Sequence, residues 1–205
     1  MPDDSKPMHW SLKDGGELTL FPQFIPVAER AQLFAGLRDA LPWQSREIRV
    51  AGRLVREPRL TAWVGDPAAV YTYSGRRNEP MPWPELLVPL RERISQTARE
   101  EMNSVLANLY RDGRDSMGFH ADKERELGID PVIASLSLGA TRRFQLRHRS
   151  DRDARLDLDL DLGDGSLLVM AGTLQHHFRH GVPKQPGVLA PRINLTFRRV
   201  RAPSA

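Results

Sequence analysis

His120 and Asp122 stand two residues apart, and on an extended segment side chains at that spacing point to the same face. An imidazole and a carboxylate can then share one ion. The chain has six histidines, and a distant one would complete a set of ligands; His148, His176, His177 and His180 all follow, and spacing alone does not choose among them. Two imidazoles and a carboxylate on one face of an octahedral ion leave positions for reactants, as in non-haem Fe(II) oxygenases, with zinc as the competing occupant. There is no cysteine, so nitrogen and oxygen must hold any metal, and no disulfide framework is possible.

The C-terminal stretch favours iron over a zinc hydrolase. Arg192, Asn194, Thr196 and Arg198 alternate with Ile193, Leu195 and Phe197, which gives a strand one cationic, polar face and one apolar face. Guanidinium forks bind carboxylates through two bonds, so two of them on one face suit a dicarboxylate. The strand is roughly 20 Å long, more than a five-carbon diacid, so the two arginines are expected to lean towards each other. Asn108 and Tyr110, again two apart, can face inwards together.

Asn108, Leu109 and Tyr110, then His120, Ala121 and Asp122, then His180, and finally residues 191–198 closely resemble, in type and order, the AlkB family of 2-oxoglutarate-dependent nucleic-acid dealkylases. The resemblance runs from about residue 50 to 200, and residues 71–75, 131–140 and 188–192 are most similar to homologues of the human DNA repair members. It implies iron on His120, Asp122 and His180. It puts the distal carboxylate of 2-oxoglutarate on Arg192 with Tyr110, and the carboxylate and keto end on Arg198 with Asn108, with Asn194 and Thr196 lining the same face. Around a flipped base it implies Tyr71 and Tyr73, with Glu124 near the exocyclic group. Arg142, Arg143, Arg147 and Arg149, with Arg53 and Arg59, are candidate phosphate contacts, although such residues are as often solvated strand faces. One departure stands out. Duplex-acting relatives wedge a bulky apolar finger into the base stack, whereas the matching hairpin here carries Ala51, so single strands are the expected substrate form.

Around these groups the remaining pattern sets the framework. At 205 residues the chain is expected to be one domain, and its 30 Lys and Arg against 26 Asp and Glu permit a polyanionic partner without requiring one. Residues 1–16 read as a flexible lead-in, polar and without the pattern of a secretion signal, and no window approaches the ~18 apolar residues of a membrane span. A cytoplasmic, soluble protein is expected, as a monomer. A strand follows at 17–21, a helix from Pro26 to Leu41, substrate-side hairpins within 46–75, and a second helix from the proline-rich 80–84 to about 103. Strands are then predicted at 104–110, 132–138, 142–147, 156–162, 166–171, 175–180 and 192–200. Asp157, Asp159 and Asp161 mark a solvated face. The fold class is therefore mainly β with flanking α-helices, with a double-stranded β-helix (jelly roll) core at about 104–200.

The expected activity is oxidative dealkylation of 1-methyladenine and 3-methylcytosine in DNA. It would consume 2-oxoglutarate and dioxygen at Fe(II) and release succinate, carbon dioxide and formaldehyde. The alternatives are the same chemistry on RNA, a protein or a small molecule, and a basic nucleic-acid-binding module without catalysis.

Overall fold

The computed structural model describes residues 6–45, 47–50, 53–73, 76–150 and 156–201, with the backbone alone at 48–50, 53–54, 71–73 and 76–78. In chain order the elements are β1 (Met8–Ser11), β2 (Gly16–Phe21), α1 (Val27–Ala40), β3 (Glu47–Val50), β4 (Arg53–Arg56), β5 (Leu60–Gly65), β6 (Tyr71–Tyr73), β7 (Arg76–Asn78) and α2 (Val88–Ala98). There follow β8 (Ser104–Tyr110), β9 (Met117–His120), β10 (Ile133–Gly139), β11 (Arg142–His148), β12 (Leu158–Leu162), β13 (Leu167–Gly172), α3 (Leu174–His177), β14 (Phe178–Val182) and β15 (Arg192–Arg198).

A seven-stranded sheet runs β1-β2-β13-β10-β15-β8-β5, a four-stranded sheet runs β12-β11-β14-β9, and β3-β4 and β6-β7 are separate hairpins. From β8 onwards the chain alternates between the two main sheets, except where β12 turns back beside β11. Eight strands thereby wind into the expected double-stranded β-helix, and β2 and β5 extend its larger sheet at either side. Two apolar layers follow from strand alternation. Ile193, Leu195 and Phe197 face Leu37 of α1 and Leu90 and Ile94 of α2 on the outside of the large sheet. Leu18, Ile133 and Met170 meet Phe144, Leu146 and Phe178 between the sheets. Among the described residues no helix is long and apolar enough to cross a membrane.

Several expectations are corrected. A strand already lies at β1, within the stretch expected to be a flexible lead-in, because Met8–Ser11 pairs antiparallel with Leu20 to Glu17. The second helix stops at Ala98 rather than near 103; Arg99 takes a left-handed conformation (φ 53°) and its N–H turns back to Ser95 and Gln96. Of the strand predicted at 175–180, residues 175–177 lie in a short helical turn, α3, and 178–180 open β14. In β11 the buried positions are Arg142, Phe144, Leu146 and His148, so Arg142 points inwards and is only 1% exposed. It cannot contact a phosphate from there.

Candidate active site

β15 is the central strand of the site. It lies between β10 and β8, with Arg192 opposite Tyr110, Asn194 opposite Asn108, and Thr196 opposite Ser135 on the other side. Its apolar side chains seal the helix layer, which forces the polar set into the space between the sheets. There Asn194 donates to Ser135 Oγ at 2.8 Å and to the Leu136 carbonyl at 3.0 Å, and Thr196 donates to Asn194 Oδ1 at 3.1 Å. Arg192 donates to Ser137 Oγ at 2.8 Å.

The opposite wall supplies the histidines. His180 on β14 pairs with His120 at the end of β9, and their ring centroids are 4.4 Å apart. Asp122 follows just beyond the strand, with Oδ1 3.9 Å from His120 Nε2 and Oδ2 3.9 Å from His180 Nε2. His120 Nδ1 lies 3.0 Å from the Gly118 carbonyl; as the donor there it leaves Nε2 as the basic nitrogen facing Asp122. The backbone N–H of Asp122 donates to Gln175 Oε1 at 2.9 Å, and Arg198 donates to Asp122 Oδ1 at 2.9 Å.

These contacts set the charge states. Burial opposes ionisation of Asp122, but Arg198, His120 and His180 outweigh it and hold the carboxyl at about 2. Burial pushes the His180 imidazole down to about 3, so it is neutral at physiological pH. A neutral imidazole and an ionised carboxylate are the forms a metal requires. Asp122 Oδ2, His180 Nδ1, and Arg192 Nε and Nη1 are buried without a hydrogen-bond partner among the described residues. Buried polar atoms are rarely left so; Asp122 Oδ2, facing His180 Nε2 and grouped with His120, fits a bound cation, and the two Arg192 nitrogens fit an anion.

The two arginines do not lean together as expected. Arg198 turns to Asp122, and Arg192 stays at the Tyr110 end of the same cavity, which is lined by Asn108, Asn194 and Thr196 between them. A diacid reaching from Arg192 to the triad therefore needs only one fork at its far end. A larger groove of about 390 Å³ lies between α1 and α2; its lining is mostly apolar, with Glu29, Gln32 and Arg93 as its polar members.

The other histidines are settled elsewhere. His176 bonds to the Ile129 carbonyl at 2.5 Å and lies 3.0 Å from Asp130. His148 and His177 form a second cluster with Asp14, but His148 already contacts Asp14 Oδ2 at 2.9 Å and Ser150 Oγ at 2.6 Å. Of the base-side candidates, Glu124 has one carboxylate oxygen buried without a hydrogen-bond partner among the described residues. Tyr71 and Tyr73 form β6, but their side chains, with that of Arg53 and the whole of Ala51, lie outside the described residues.

Arg59 is corrected as a phosphate contact: it is 3% exposed and donates to Asn108 Oδ1 at 2.7 Å and, at 3.4 Å, to Glu57. Arg143 pairs with Asp159, Arg147 lies 4.0 Å over the Phe119 ring, and Arg149 is exposed. Sequence reading missed Ser135, Ser137 and Gln175. The two serines alternate with Leu136 and Leu138, a parity that was available; Gln175 carries no local signal.

Residues 17–198 match the 2OG-Fe(II) oxygenase superfamily. The chain is 39% identical over 188 residues to human alpha-ketoglutarate-dependent dioxygenase alkB homolog 3, covering 88% of this chain and 65% of that one. It is 42% identical over 181 residues to bovine DNA oxidative demethylase ALKBH2, covering 84% of this chain and 65% of the relative. It thus spans slightly less than two thirds of these curated relatives. The fold is similar to the solved structure of OsALKBH1, with a TM-score of 0.64 and 20% identity over 94% of this chain and all of that one.

Proposed function

Because the chain belongs to the 2OG-Fe(II) oxygenase superfamily, we propose that it removes alkyl groups from damaged bases in DNA, with 1-methyladenine and 3-methylcytosine as substrates. The observation that carries the reading is a cavity lined by His120 and His180, with Asp122 grouped against both, at one end and by Arg192 with Tyr110 at the other. The relatives named as DNA oxidative demethylases support the substrate class.

His120, Asp122 and His180 would hold the iron, and Arg192 with Tyr110 the far carboxylate of 2-oxoglutarate. Fe(II) with 2-oxoglutarate supplies oxidation: dioxygen is consumed, succinate and carbon dioxide leave, and an N-alkyl C–H of the base gains a hydroxyl before formaldehyde is lost. The remaining work belongs to the chain. Arg198 keeps Asp122 ionised and turned towards the two imidazoles. Gln175 fixes the backbone at Asp122, so the carboxylate is oriented before any ligand arrives. Asn108, itself held by Arg59, presents its amide beside Asn194 to the near end of the diacid. Glu124, with a buried acceptor oxygen, would take a hydrogen bond from the exocyclic amino group of a base.

Single strands are the preferred form in this reading, because extruding a base costs a few kcal/mol and Ala51 offers little surface to fill the gap. The test is formaldehyde release from one oligonucleotide carrying 1-methyladenine, alone and annealed, at fixed salt with iron, ascorbate and 2-oxoglutarate. Faster release from the single strand is expected. No release from either form removes the proposed substrate, and faster release from the duplex removes the strand preference.

A further inference from the structure

Arg142 is a fully buried cation that neither the metal triad nor the β15 arginines account for. Its donors go to uncharged oxygens. Nη1 donates to the Asp112 carbonyl at 3.1 Å, Nη2 to the carbonyls of Asp115 at 2.8 Å and Pro183 at 2.7 Å, and Nε to the Gln185 side-chain amide oxygen at 3.2 Å. Among the described residues no carboxylate pairs with it. The two nearby acids are engaged by other arginines, Asp112 by Arg114 and Asp115 by Arg111. Its charge is therefore solvated directly by carbonyl dipoles, with Asp115 and Asp112 near enough to favour it but neither carboxylate bonded to it.

The guanidinium lies 5.5 Å from the centroid of the Tyr110 ring, and that of Arg192 lies 5.3 Å from the same centroid. The same four bonds strap the loop after β8 to the loop after β14. These loops meet so closely that a Cβ on Gly113 would fall 1.7 Å from the Gln185 carbonyl. Gly113 and Gln185 also exchange a backbone bond of 2.7 Å from Gln185 N–H.

We propose that Arg142 is a positioning residue for the cosubstrate: it fixes Tyr110 against Arg192 and adds a second positive charge, bonded to no carboxylate, behind the far end of the cavity, so that the site selects a dianion over a 2-oxo monoacid. This rests on the assignment of Arg192 with Tyr110 to the far carboxylate, and it holds for any substrate oxidised at the triad. Charges about 10 Å apart through a protein interior interact by more than a kcal/mol, so the selectivity it gives is about tenfold.

The test is anaerobic calorimetry of the full chain loaded with Mn(II), with no nucleic acid present. It compares 2-oxoglutarate with 2-oxopentanoate, which lacks the far carboxylate. Arg142→Gln keeps an amide donor but removes the charge, and it should weaken 2-oxoglutarate about tenfold while changing 2-oxopentanoate by less than about twofold. Arg142→Lys keeps the charge and should stay within about threefold of wild type in the ratio of the two affinities. Equal weakening of both acids by Arg142→Gln would reduce the residue to a scaffold and overturn the proposal. So would an Arg142→Lys ratio that collapses as far as that of Arg142→Gln. If Arg142→Gln does not fold, the Arg142→Lys ratio decides alone. A wild type that binds both acids equally overturns the cosubstrate assignment itself, whereas failure on methylated DNA with normal diacid selectivity leaves this proposal standing.

Discussion

Asp122 is held from three directions, by the Gln175 side chain at its N–H, by Arg198 at Oδ1, and by the two imidazoles facing it. Arg198→Lys should therefore raise the 2-oxoglutarate concentration needed for half-maximal turnover by roughly 10- to 100-fold, because an ammonium cannot serve both the carboxylate and a planar ligand. The same change at Arg199, which pairs with Glu100 on the surface, should leave that requirement within about twofold. A 2-oxoglutarate titration of both variants separates them.

Arg192 gives a prediction of the opposite kind. Burial lowers its guanidinium to about 10, which means that the folded state disfavours its charged form. For a base with a depressed folded pKa the cost is present at every pH below about 10 and is relieved only above it. Arg192→Met should therefore raise the urea midpoint of the ligand-free protein at pH 7, by about 1 to 2 kcal/mol of stability, while abolishing 2-oxoglutarate binding. A less stable variant would show that the Ser137 and Tyr110 contacts outweigh the cost of burying the charge.

Arg142 shares the parity of Phe144 and Leu146, so its inward direction is legible in the alternation, although its charge alone suggests a phosphate contact. Arg59 carried no such sign, since its burial depends on Asn108, 49 positions away.

At the scale of elements, β15 divides labour between its two faces. Phe197 is fully buried against the helix layer and stacks on Trp83 at 6.3 Å, whereas Thr196 and Arg198 face the cavity. Phe197→Ala should cost about 3 to 5 kcal/mol of stability, seen as a fall in the urea midpoint, with 2-oxoglutarate affinity in the remaining folded protein within about twofold of wild type. A folded variant with strongly weakened binding would mean that the faces are not independent. This strand was legible because its alternation is strict, and β8, with Asn108 and Tyr110 in its polar phase, matched its predicted bounds. The ends of elements were less legible. The stop at Arg99 depends on a left-handed residue that is not glycine, and α3 interrupts a stretch whose composition alone suits a strand. β1 is a short edge strand, Met8–Ser11, that pairs with β2 and sets Trp10 against the core between the sheets.

At the scale of the whole molecule, the helices cover one side of the large sheet and leave the space between the sheets to a core that is apolar at one part and polar at another. The histidines show what a fold adds to a sequence. Four downstream candidates were equivalent by spacing, and the pairing of β14 with β9 brings His180 alone into the set with His120 and Asp122. His120→Ala should accordingly lose turnover to background while His177→Ala retains more than about half of it, since His177 belongs to the separate cluster with Asp14. Loss of activity in His177→Ala alone would mean that the wrong histidine has been assigned.

The proposed reaction couples 2-oxoglutarate oxidation in this cavity to removal of an alkyl group from a nucleic-acid base. It is tested most directly by mass spectrometry of one reaction, following succinate and a single-stranded DNA carrying 1-methyladenine together. Succinate and repaired strand should rise in equal amounts in the wild type, and neither should form with His120→Ala. Succinate produced while the strand keeps its methyl group, or a repaired strand formed without 2-oxoglutarate, would contradict it.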